Sequence, residues 1–387
     1  MSHIKILISF LITILIAAFL YSCSDDEPQP ITEAKRTILV YMIAGNSLGA
    51  SNYDIEDINE MVAASENNTF NGGRLIIYHA PFGKNPSLKE IKDGKIITLR
   101  EYDQSSLSVE RQRMQKVIDD TKNLAPAKDY GLILWSHGNG WLQNGLATKN
   151  ISRNGFSSPS TPLAFGEDQG KTMNISTLAD ILYYEYFIFI YFDCCYMSTI
   201  EVVYQMRNTT PYIIASAPET PAEGMPYEQN IPYLFADAPM LKEACATTFD
   251  YYNCKNGMLR SCAISLIDTR HINELAQATL SIYESHPTLP DDFSPQKYTL
   301  DSNCYYFDFG QYIEALSYSQ PNLFKIWEEA LNKVVIYKAA TPYMWNQLRL
   351  EHHCGLSTYI LKSEEYSAIK NYNQLQWWAD IASKLWY

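Results

Sequence analysis

YGLILWSHGNGW, the stretch from Tyr130 to Trp141, is the most informative part of this chain, because an apolar run of strand character ends there on His137. A second stretch, FIFIYFDCCYMSTIEVVYQM from Phe187 to Met206, ends its apolar run on an aspartate and two cysteines. In an open parallel sheet, residues beyond the carboxyl ends of the strands line the crevice where ligands bind. A thiol and an imidazole mounted there form a nucleophile and base pair. The two stretches therefore predict a cysteine-type catalytic site.

Segments with strand character alternate with amphipathic segments along the rest of the chain. This alternation predicts an α/β fold with a mainly parallel sheet and helices on both faces. Besides the strands before His137 and up to Asp193, we predict strands at 37–44, 75–79, 96–99, 212–215 and 263–267, and helices at 53–64, 108–122, from about 176 and from about 198.

The amino-terminal segment predicts where the protein resides. An apolar run from Ile6 to Leu20 precedes Leu20-Tyr21-Ser22-Cys23, which resembles a bacterial lipobox whose cysteine is acylated. The acidic run Ser24 to Glu27 resembles the export tag of Bacteroidetes-type surface lipoproteins. We therefore predict a signal peptide over residues 1–22, a lipidated acidic tether over 23–35, and lipid anchoring to the outer membrane facing the exterior. A periplasm-facing anchor, an uncleaved anchor helix and a plain acidic linker are the alternatives.

The net charge and the cysteine content limit the class of binding partner and the state of the thiols. The formal net charge of −13 argues against a nucleic-acid partner. Of the 8 cysteines, those other than Cys23 are odd in number and form no C-x-x-C motif, so at least one thiol stays unpaired within the monomer. A free thiol retained in an oxidising exterior favours a chemical use, and a buried inert cysteine is the alternative.

The residues around the cysteines suggest how a thiol would be activated. Ser198 to Glu201 form a capping-box pattern, which predicts that a helix begins three residues after Cys195. The partial charge of a helix amino terminus and an imidazolium at His137 would both favour the thiolate. The backbone N–H groups of Gly138 and Cys195 are the predicted oxyanion hole.

The two adjacent cysteines and a later His-His-Cys run each allow more than one role. Successive strand residues point to opposite faces, so only one of Cys194 and Cys195 can face His137, and the alternation leaves that choice open. His352-His353-Cys354 suggests a metal, but neighbouring residues diverge and no second ligand pair completes a site. We therefore predict no metal site and no required cofactor.

The motifs around the histidine and the cysteines carry a family resemblance. His137 to Trp141 match the His-Gly-x-Gly-Trp motif of the clostripain family of cysteine peptidases, within the caspase-like clan. Asp193 to Tyr204 match its Asp-Ala-Cys motif and following helix, with Cys194 at the alanine position. Tyr306 to Phe309 and Cys354 to Tyr359 resemble two later family segments. The register of the cysteine motif selects Cys195 as the nucleophile.

The resemblance implies a fold, an activity and a pocket. It implies a caspase-like α/β/α sandwich over residues 36–387, in which the part from about 270 onward is a candidate subdomain. It also implies cleavage of proteins or peptides after Arg or Lys, with Glu223 facing the basic side chain and Asp193 as a second carboxylate. A turn-capping role is the alternative for Asp193. Calcium dependence is a further expectation from the resemblance.

A long polar loop, from about Leu142 to Asn174, separates the two catalytic strands and contains Lys149 and Arg153. Loops longer than about 15 residues are usually functional or disordered. Because members of the family can be activated by self-cleavage in this region, Lys149 and Arg153 are the expected processing sites, and a surface insertion without a function is the alternative.

For the whole chain, the alternative to a peptidase is a non-catalytic, peptide-binding surface lipoprotein that retains the fold.

Overall fold

The computed structural model describes residues 32–66, 69–142, 165–300, 304–361 and 372–386. Cys23, Lys149 and Arg153 lie outside these residues, so the predictions of lipidation and self-processing stay predictions. Among the helices of the described part, none has the length and apolarity to cross a membrane.

Within the described residues, nine strands form the main sheet, and the remaining strands form three small two-stranded sheets. The strands are β1 (Ala34–Ile43), β2 (Arg74–Ala80), β3 (Ser87–Lys92), β4 (Lys95–Glu101), β5 (Ala127–Trp135), β6 (Phe165–Asp168), β7 (Lys171–Met173), β8 (Phe187–Asp193), β9 (Tyr212–Ala215), β10 (Ala263–Asp268), β11 (Phe307–Asp308), β12 (Val335–Ala340), β13 (Tyr343–Met344), β14 (Leu348–Arg349) and β15 (Ser357–Thr358).

The strand order of the main sheet is β12-β10-β9-β8-β5-β1-β2-β3-β4. The strands from β9 to β2 run parallel to one another, and the outer strands on both sides run antiparallel. The five central strands therefore present all their carboxyl ends at one edge, which is where the predicted catalytic residues emerge.

The helices cover both faces of this sheet. They are α1 (Ser47–Ala50), α2 (Tyr53–Ser65), α3 (Arg111–Leu124), α4 (Ile175–Leu182), α5 (Ile200–Gln205), α6 (Tyr227–Leu234), α7 (Leu241–Asn253), α8 (Ile272–Tyr283), α9 (Phe309–Leu316), α10 (Pro321–Val334) and α11 (Gln376–Asp380). Short 3₁₀ turns occur at Gly257–Leu259, Thr269–His271 and Ala382–Trp386.

The strand β1 explains why the sheet carries helices on both faces. Leu39 and Tyr41 point into one core, with residues of α3, α4, α8 and α10, while Val40 and Met42 point into a second core with residues of α2, α6 and α7. A strand whose successive side chains are all apolar can be buried only between two layers. The predicted α/β/α sandwich with a mainly parallel central sheet is thereby confirmed.

The strand β3 was not predicted from the sequence. Its residues mix charged and apolar side chains, so no continuous apolar run marks it. In the structure Leu88 and Ile91 are buried, and Glu90 forms a short ion pair with Arg74 of the neighbouring strand, at 2.7 Å. The predicted edge strand at 96–99 is confirmed as part of β4, the last strand of the sheet.

The helix that follows the cysteines begins later than predicted, and the capping-box prediction is wrong. The N-cap residue is Thr199, whose Oγ1 accepts a hydrogen bond from the Val202 amide at 3.1 Å. Ser198 instead donates its hydroxyl to the Gly355 carbonyl oxygen, at 2.6 Å. Glu201 is fully buried and faces the carboxyl-terminal segment rather than the helix start.

The Glu201 carboxylate ties distant parts of the chain together. Its Oε1 accepts hydrogen bonds from Thr358 Oγ1 at 3.0 Å, the Tyr359 amide at 2.9 Å and the Tyr372 hydroxyl at 3.2 Å. The rings of Tyr359 and Tyr372 pack against Trp141, just beyond the predicted catalytic histidine. One side chain therefore joins the helix after Cys195 to the segment that supports the histidine loop.

We predict that Glu201→Ala lowers the free energy of unfolding by about 3 kcal/mol, because three buried donors lose their acceptor at about 1–3 kcal/mol each, with partial relaxation. Urea denaturation at about pH 5, where the buried carboxyl group of Glu201 is protonated and its Oε1 still accepts these hydrogen bonds, measures this. The matched control is Glu201→Gln, which keeps an acceptor oxygen and should lose less stability.

The same control tests the protonation of this group. Burial raises the Glu201 pKa to about 7, so the folded state binds a proton that the unfolded state releases. The contribution of this group to stability therefore falls as pH rises from about 4.5 to about 7. Glu201→Gln should show a weaker loss of stability over that range than the wild type. An Ala variant as stable as the Gln variant would contradict the acceptor role.

Candidate active site

The predicted histidine and cysteine emerge from neighbouring parallel strands. The last residue of β5, Trp135, is paired with the last residue of β8, Asp193. A Cβ added at Gly138 would lie 2.6 Å from the Cys195 carbonyl oxygen, which is closer than any real contact. Glycine is therefore required after His137, because the two segments touch there. The amides of Gly138 and Cys195, the predicted oxyanion hole, belong to these contacting segments.

His137 is fixed through both its backbone and its ring. Its carbonyl oxygen accepts a hydrogen bond from the Gly166 amide at 2.9 Å, next to an antiparallel bridge between Gly138 and Phe165. Its Nε2 is hydrogen-bonded to the Ser47 hydroxyl, at 2.9 Å. Burial lowers the His137 pKa to about 4, so the ring is neutral at neutral pH.

The two cysteines differ in exposure. Cys194 is 2% exposed and faces Gly138, whereas Cys195 is partly exposed. The Cys195 thiol lies beside Thr220, whose amide nitrogen is 3.3 Å and whose hydroxyl oxygen is 3.6 Å from the sulfur. Of the two candidates, Cys195 is thus the thiol that a ligand can reach.

The predicted preference for a Cys195 thiolate is wrong for this resting structure. Burial raises the Cys195 pKa to about 11, and the negative charge of Glu219 acts in the same direction. The helix offers little compensation, because α5 begins only at Ile200 and is 6 residues long. Desolvation therefore outweighs the helix partial charge. The resting pair is a thiol and a neutral imidazole.

A small cavity of about 30 Å³ lies at the carboxyl ends of β8 and β9, and its lining includes Thr220, which contacts the Cys195 sulfur. Asp193 is part of its wall, and its Oδ2 accepts hydrogen bonds from the Met225 amide at 3.1 Å and the Tyr227 hydroxyl at 2.8 Å. The cavity is lined by Tyr191, Phe192, Asp193, Ala215, Ser216, Glu219, Thr220, Pro221, Gly224, Met225, Thr248, Tyr252, Cys262, Ala263 and Ile264.

The acidity of the cavity wall depends on protonation. Burial raises the Asp193 pKa to about 6. Asp57 lies nearby, accepts a hydrogen bond from Trp135 Nε1 at 2.6 Å, and has its pKa raised by burial and then by the charge of Asp193. Two buried carboxyl groups this close oppose each other's ionisation. A bound cation would favour the ionised forms.

The predicted specificity residue Glu223 is half-buried and is not among the residues that line the cavity, whereas Glu219 is. Sequence reasoning missed Glu219, Thr220 and Ser47. Each follows the end of a parallel strand, β9 for the first two and β1 for the third. Their position after central strands was the signal that could have identified them, because all such residues meet at one edge.

The carboxyl-terminal part of the chain contributes to the same site. The Tyr306 ring stacks on Tyr196, with centroids 4.4 Å apart, and its hydroxyl donates to the carbonyl oxygen of Asn139 at 2.7 Å. Residues 33–387 form one compact unit, and α8 and α10 share a core with α3 and α4. The histidine loop is thus supported from the far end of the chain.

No group of three or more His, Cys, Asp or Glu side chains positioned to hold a metal ion occurs among the described residues. In the His352-His353-Cys354 run, His353 Nδ1 is hydrogen-bonded to the Tyr298 hydroxyl at 2.9 Å. The Cys354 thiol is hydrogen-bonded to backbone groups, including the Leu356 carbonyl oxygen. The hydrogen bonds of His353 and Cys354 are therefore those expected of packed structural residues.

Three solved structures resemble this one over nearly their whole length. An inactive zymogen C11 protease from Parabacteroides distasonis is 28% identical with a TM-score of 0.76, covering 90% of this chain and 99% of that one. A secreted C11 cysteine protease from Bacteroides thetaiotaomicron, in complex with an irreversible peptide inhibitor, is 29% identical with a TM-score of 0.76, covering 92% and 100%. Another secreted C11 cysteine protease from Bacteroides thetaiotaomicron is 22% identical with a TM-score of 0.78, covering 90% and 100%, and shows the fold alone.

No curated protein is significantly similar to the chain. Residues 40–386, by contrast, match the sequence profile of the clostripain family, a range that includes most of the chain and both predicted catalytic motifs. The predicted family is therefore confirmed. The protein belongs to the clostripain family of cysteine peptidases, whose substrates are proteins or peptides.

Proposed function

We propose that the protein is an endopeptidase that cleaves after Arg or Lys, with Cys195 as nucleophile and His137 as general base. The observation that carries this proposal is the partly exposed Cys195 thiol beside a cavity whose wall includes two carboxyl groups, Asp193 and Glu219. A basic side chain directed toward these carboxyl groups would bring the following peptide bond near the sulfur.

The resting protonation states constrain the mechanism. At neutral pH the imidazole of His137 is neutral and the Cys195 thiol is protonated. Proton transfer from sulfur to imidazole is then coupled to attack on the carbonyl carbon, because a free ion pair is costly in the empty site. The amides of Gly138 and Cys195 would stabilise the oxyanion, at roughly 3 kcal/mol each. The imidazolium then protonates the leaving amine, and water hydrolyses the thioester.

The carboxyl groups support the preference for a basic residue. An ionised Asp193 can form a charge-assisted hydrogen bond with a guanidinium or ammonium group, and such bonds are about twice as strong as neutral ones. Glu219 adds a second negative charge to the cavity wall. Glu223 retains its proposed role as a further acid near the cavity, because it is half-buried and its charge, after burial and Asp193, contributes to the raised pKa of the cavity residue Tyr252.

The sequence also supports a location and a mode of activation. We propose a lipoprotein anchored through Cys23 at the outer membrane and facing the exterior, on the grounds of its lipobox-like and acidic segments. We further propose self-cleavage at Lys149 or Arg153. In support of this, Gly138 and Phe165 pair at the two ends of the segment that contains Lys149 and Arg153. Cleavage within that segment would therefore leave the backbone hydrogen bonds of His137 intact.

Replacement of the two cysteines tests the nucleophile. Cys195→Ala should lower kcat by about 10⁴-fold or more, since the covalent step is lost. Cys194→Ala, the matched control, should retain turnover within about threefold and lose mainly packing. Steady-state cleavage of an arginyl peptide measures both, and Cys195→Ala should also remain a single chain on a denaturing gel. Equal losses in two folded variants would contradict the assignment, and a wild type inert to substrates and to an arginyl affinity label would favour a non-catalytic binding protein.

Acidification tests the cavity. Because the Asp193 pKa is about 6, the carboxyl group becomes neutral as pH falls below that value, and attraction for a cationic side chain falls with it. We predict that the ratio of kcat/KM for an arginyl over a matched uncharged substrate decreases from about pH 8 to about pH 5. The ratio cancels effects that His137 and Cys195 exert on both substrates.

Variants of the acids complete this test. Asp193→Asn should lower the ratio by about two to four orders of magnitude at neutral pH and weaken its pH dependence, because losing one partner of a buried charge pair costs about 3–5 kcal/mol. Glu219→Gln and Glu223→Gln, compared side by side, identify the second acid. If Asp193→Asn lowers cleavage of both substrates equally, the carboxyl group is structural.

Anchoring is tested by Cys23→Ser. We predict that the variant is released from the membrane fraction, because its lipid attachment site is gone. Protease treatment of intact cells should degrade the wild-type protein. A Cys23→Ser variant that remains in the membrane fraction to the same extent as the wild type would contradict the anchor.

A further inference from the structure

We propose that Ser47 is a positioning residue for His137: its hydroxyl accepts the Nε2 proton of the ring and leaves Nδ1 as the basic nitrogen. This inference rests on the proposed function, in which His137 is the general base. It adds a residue that no motif around the histidine or the cysteine contains.

The contact itself is short and direct. The Ser47 hydroxyl oxygen lies 2.9 Å from His137 Nε2. A neutral imidazole carries one proton, and the bond made by one ring nitrogen decides which nitrogen keeps the lone pair. If Nε2 donates to Ser47, the lone pair resides on Nδ1, the one ring nitrogen left to take a proton from a thiol.

The turn that carries Ser47 is fixed by the side chain of Asn46. The Asn46 amide nitrogen donates to the Ile43 carbonyl oxygen at 2.9 Å and to the Glu167 carbonyl oxygen at 2.8 Å. It also lies 3.1 Å from the Ser136 hydroxyl, and Asn46 Oδ1 accepts from the Leu48 amide at 3.0 Å. Asn46 is 5% exposed. This buried network joins the ends of β1 and β5, so the hydroxyl of Ser47 is held in place relative to the ring.

Gly45 brings the same turn against the hairpin of β6 and β7. A Cβ at Gly45 would lie 2.4 Å from Asp168 Oδ1, so another residue would push the turn away. The Gln169 amide donates to the Gly45 carbonyl oxygen at 3.2 Å, and the Gly166 amide donates to the His137 carbonyl oxygen at 2.9 Å. The β6–β7 hairpin is therefore hydrogen-bonded both to the turn that carries Ser47 and to the backbone of His137.

A hydroxyl at this position also has an electrostatic effect. An oxygen that accepts from Nε2 stabilises the imidazolium that forms during turnover, which opposes the effect of burial on the ring. A serine adds no charge, so it orients the base without making it strongly basic. Its removal should affect the rate of the chemical step more than substrate binding.

The first experiment compares Ser47→Ala, Ser47→Thr and the control Ser51→Ala, an exposed serine at the carboxyl end of the same turn of helix. Ser47→Ala should lower kcat about 10–100-fold with KM changed less than about twofold, because a base misplaced by about 1 Å can cost that much. Ser47→Thr keeps the hydroxyl and should recover most of the rate. A Ser47→Ala enzyme with wild-type kcat, or a threonine variant as slow as the alanine variant, would overturn the proposal.

The second experiment does not require activity. In full-length Cys195→Ala protein with ¹⁵N-labelled histidine, NMR should show His137 protonated at Nε2 and unprotonated at Nδ1. Adding Ser47→Ala should lower the pKa of the ring or mix its tautomers. A proton on Nδ1 in the parent protein would overturn the inference, even if the peptidase is active. Absence of peptidase activity with the expected tautomer would instead refute the proposed function and leave the serine contact established.

Discussion

The parallel pairing of β5 with β8 is the constraint on which the rest of the site depends. It aligns Trp135 with Asp193, so the histidine and the cysteines leave the sheet side by side. The contact is so close that only glycine fits at position 138. The neighbouring strands β1 and β9 then deliver the turn of Ser47 and the segment of Glu219 and Thr220 to the same edge. The fold thus assembles groups from four strand ends without requiring any of them to be close in sequence.

Burial has the largest effect on the chemistry of this edge. It lowers the pKa of the His137 ring, raises that of the Cys195 thiol, and raises those of Asp193 in the cavity wall and of the nearby Asp57. Each shift favours the neutral form, as expected when charge leaves water without a partner. At neutral pH the imidazole of His137 and the thiol of Cys195 are therefore both neutral. In the proposed function, a substrate with a positive side chain would stabilise the ionised forms of these carboxyl groups as its carbonyl carbon reaches the Cys195 thiol.

Patterns that depend on local burial were predictable from the sequence, and those that depend on distant partners were not. The strands Phe187–Asp193 and Tyr212–Ala215 were predicted at the bounds observed, because residues buried on both faces leave continuous apolar runs. The capping-box assignment of Glu201 failed because its partners lie more than 150 residues away, at Thr358, Tyr359 and Tyr372. Likewise, the helix pattern after Cys195 suggested a stabilised thiolate, but a local pattern carries no information about how deeply a sulfur is desolvated. Ser47 escaped notice because a serine in a turn has no distinctive signature until the ring it contacts is known.

The bridge between Gly138 and Phe165 fixes the two ends of the chain segment that follows the histidine. The chain leaves β5 at Trp135, two residues before His137, and the backbones of Gly138 and Phe165 then pair across the two ends of the stretch between them. Because the entropy of closing a loop grows only with the logarithm of its length, about 0.6 kcal/mol per doubling, the intervening stretch can lengthen or shorten over evolution at little cost to the architecture. A change in the length of this stretch therefore need not move Gly138 and Phe165 relative to each other.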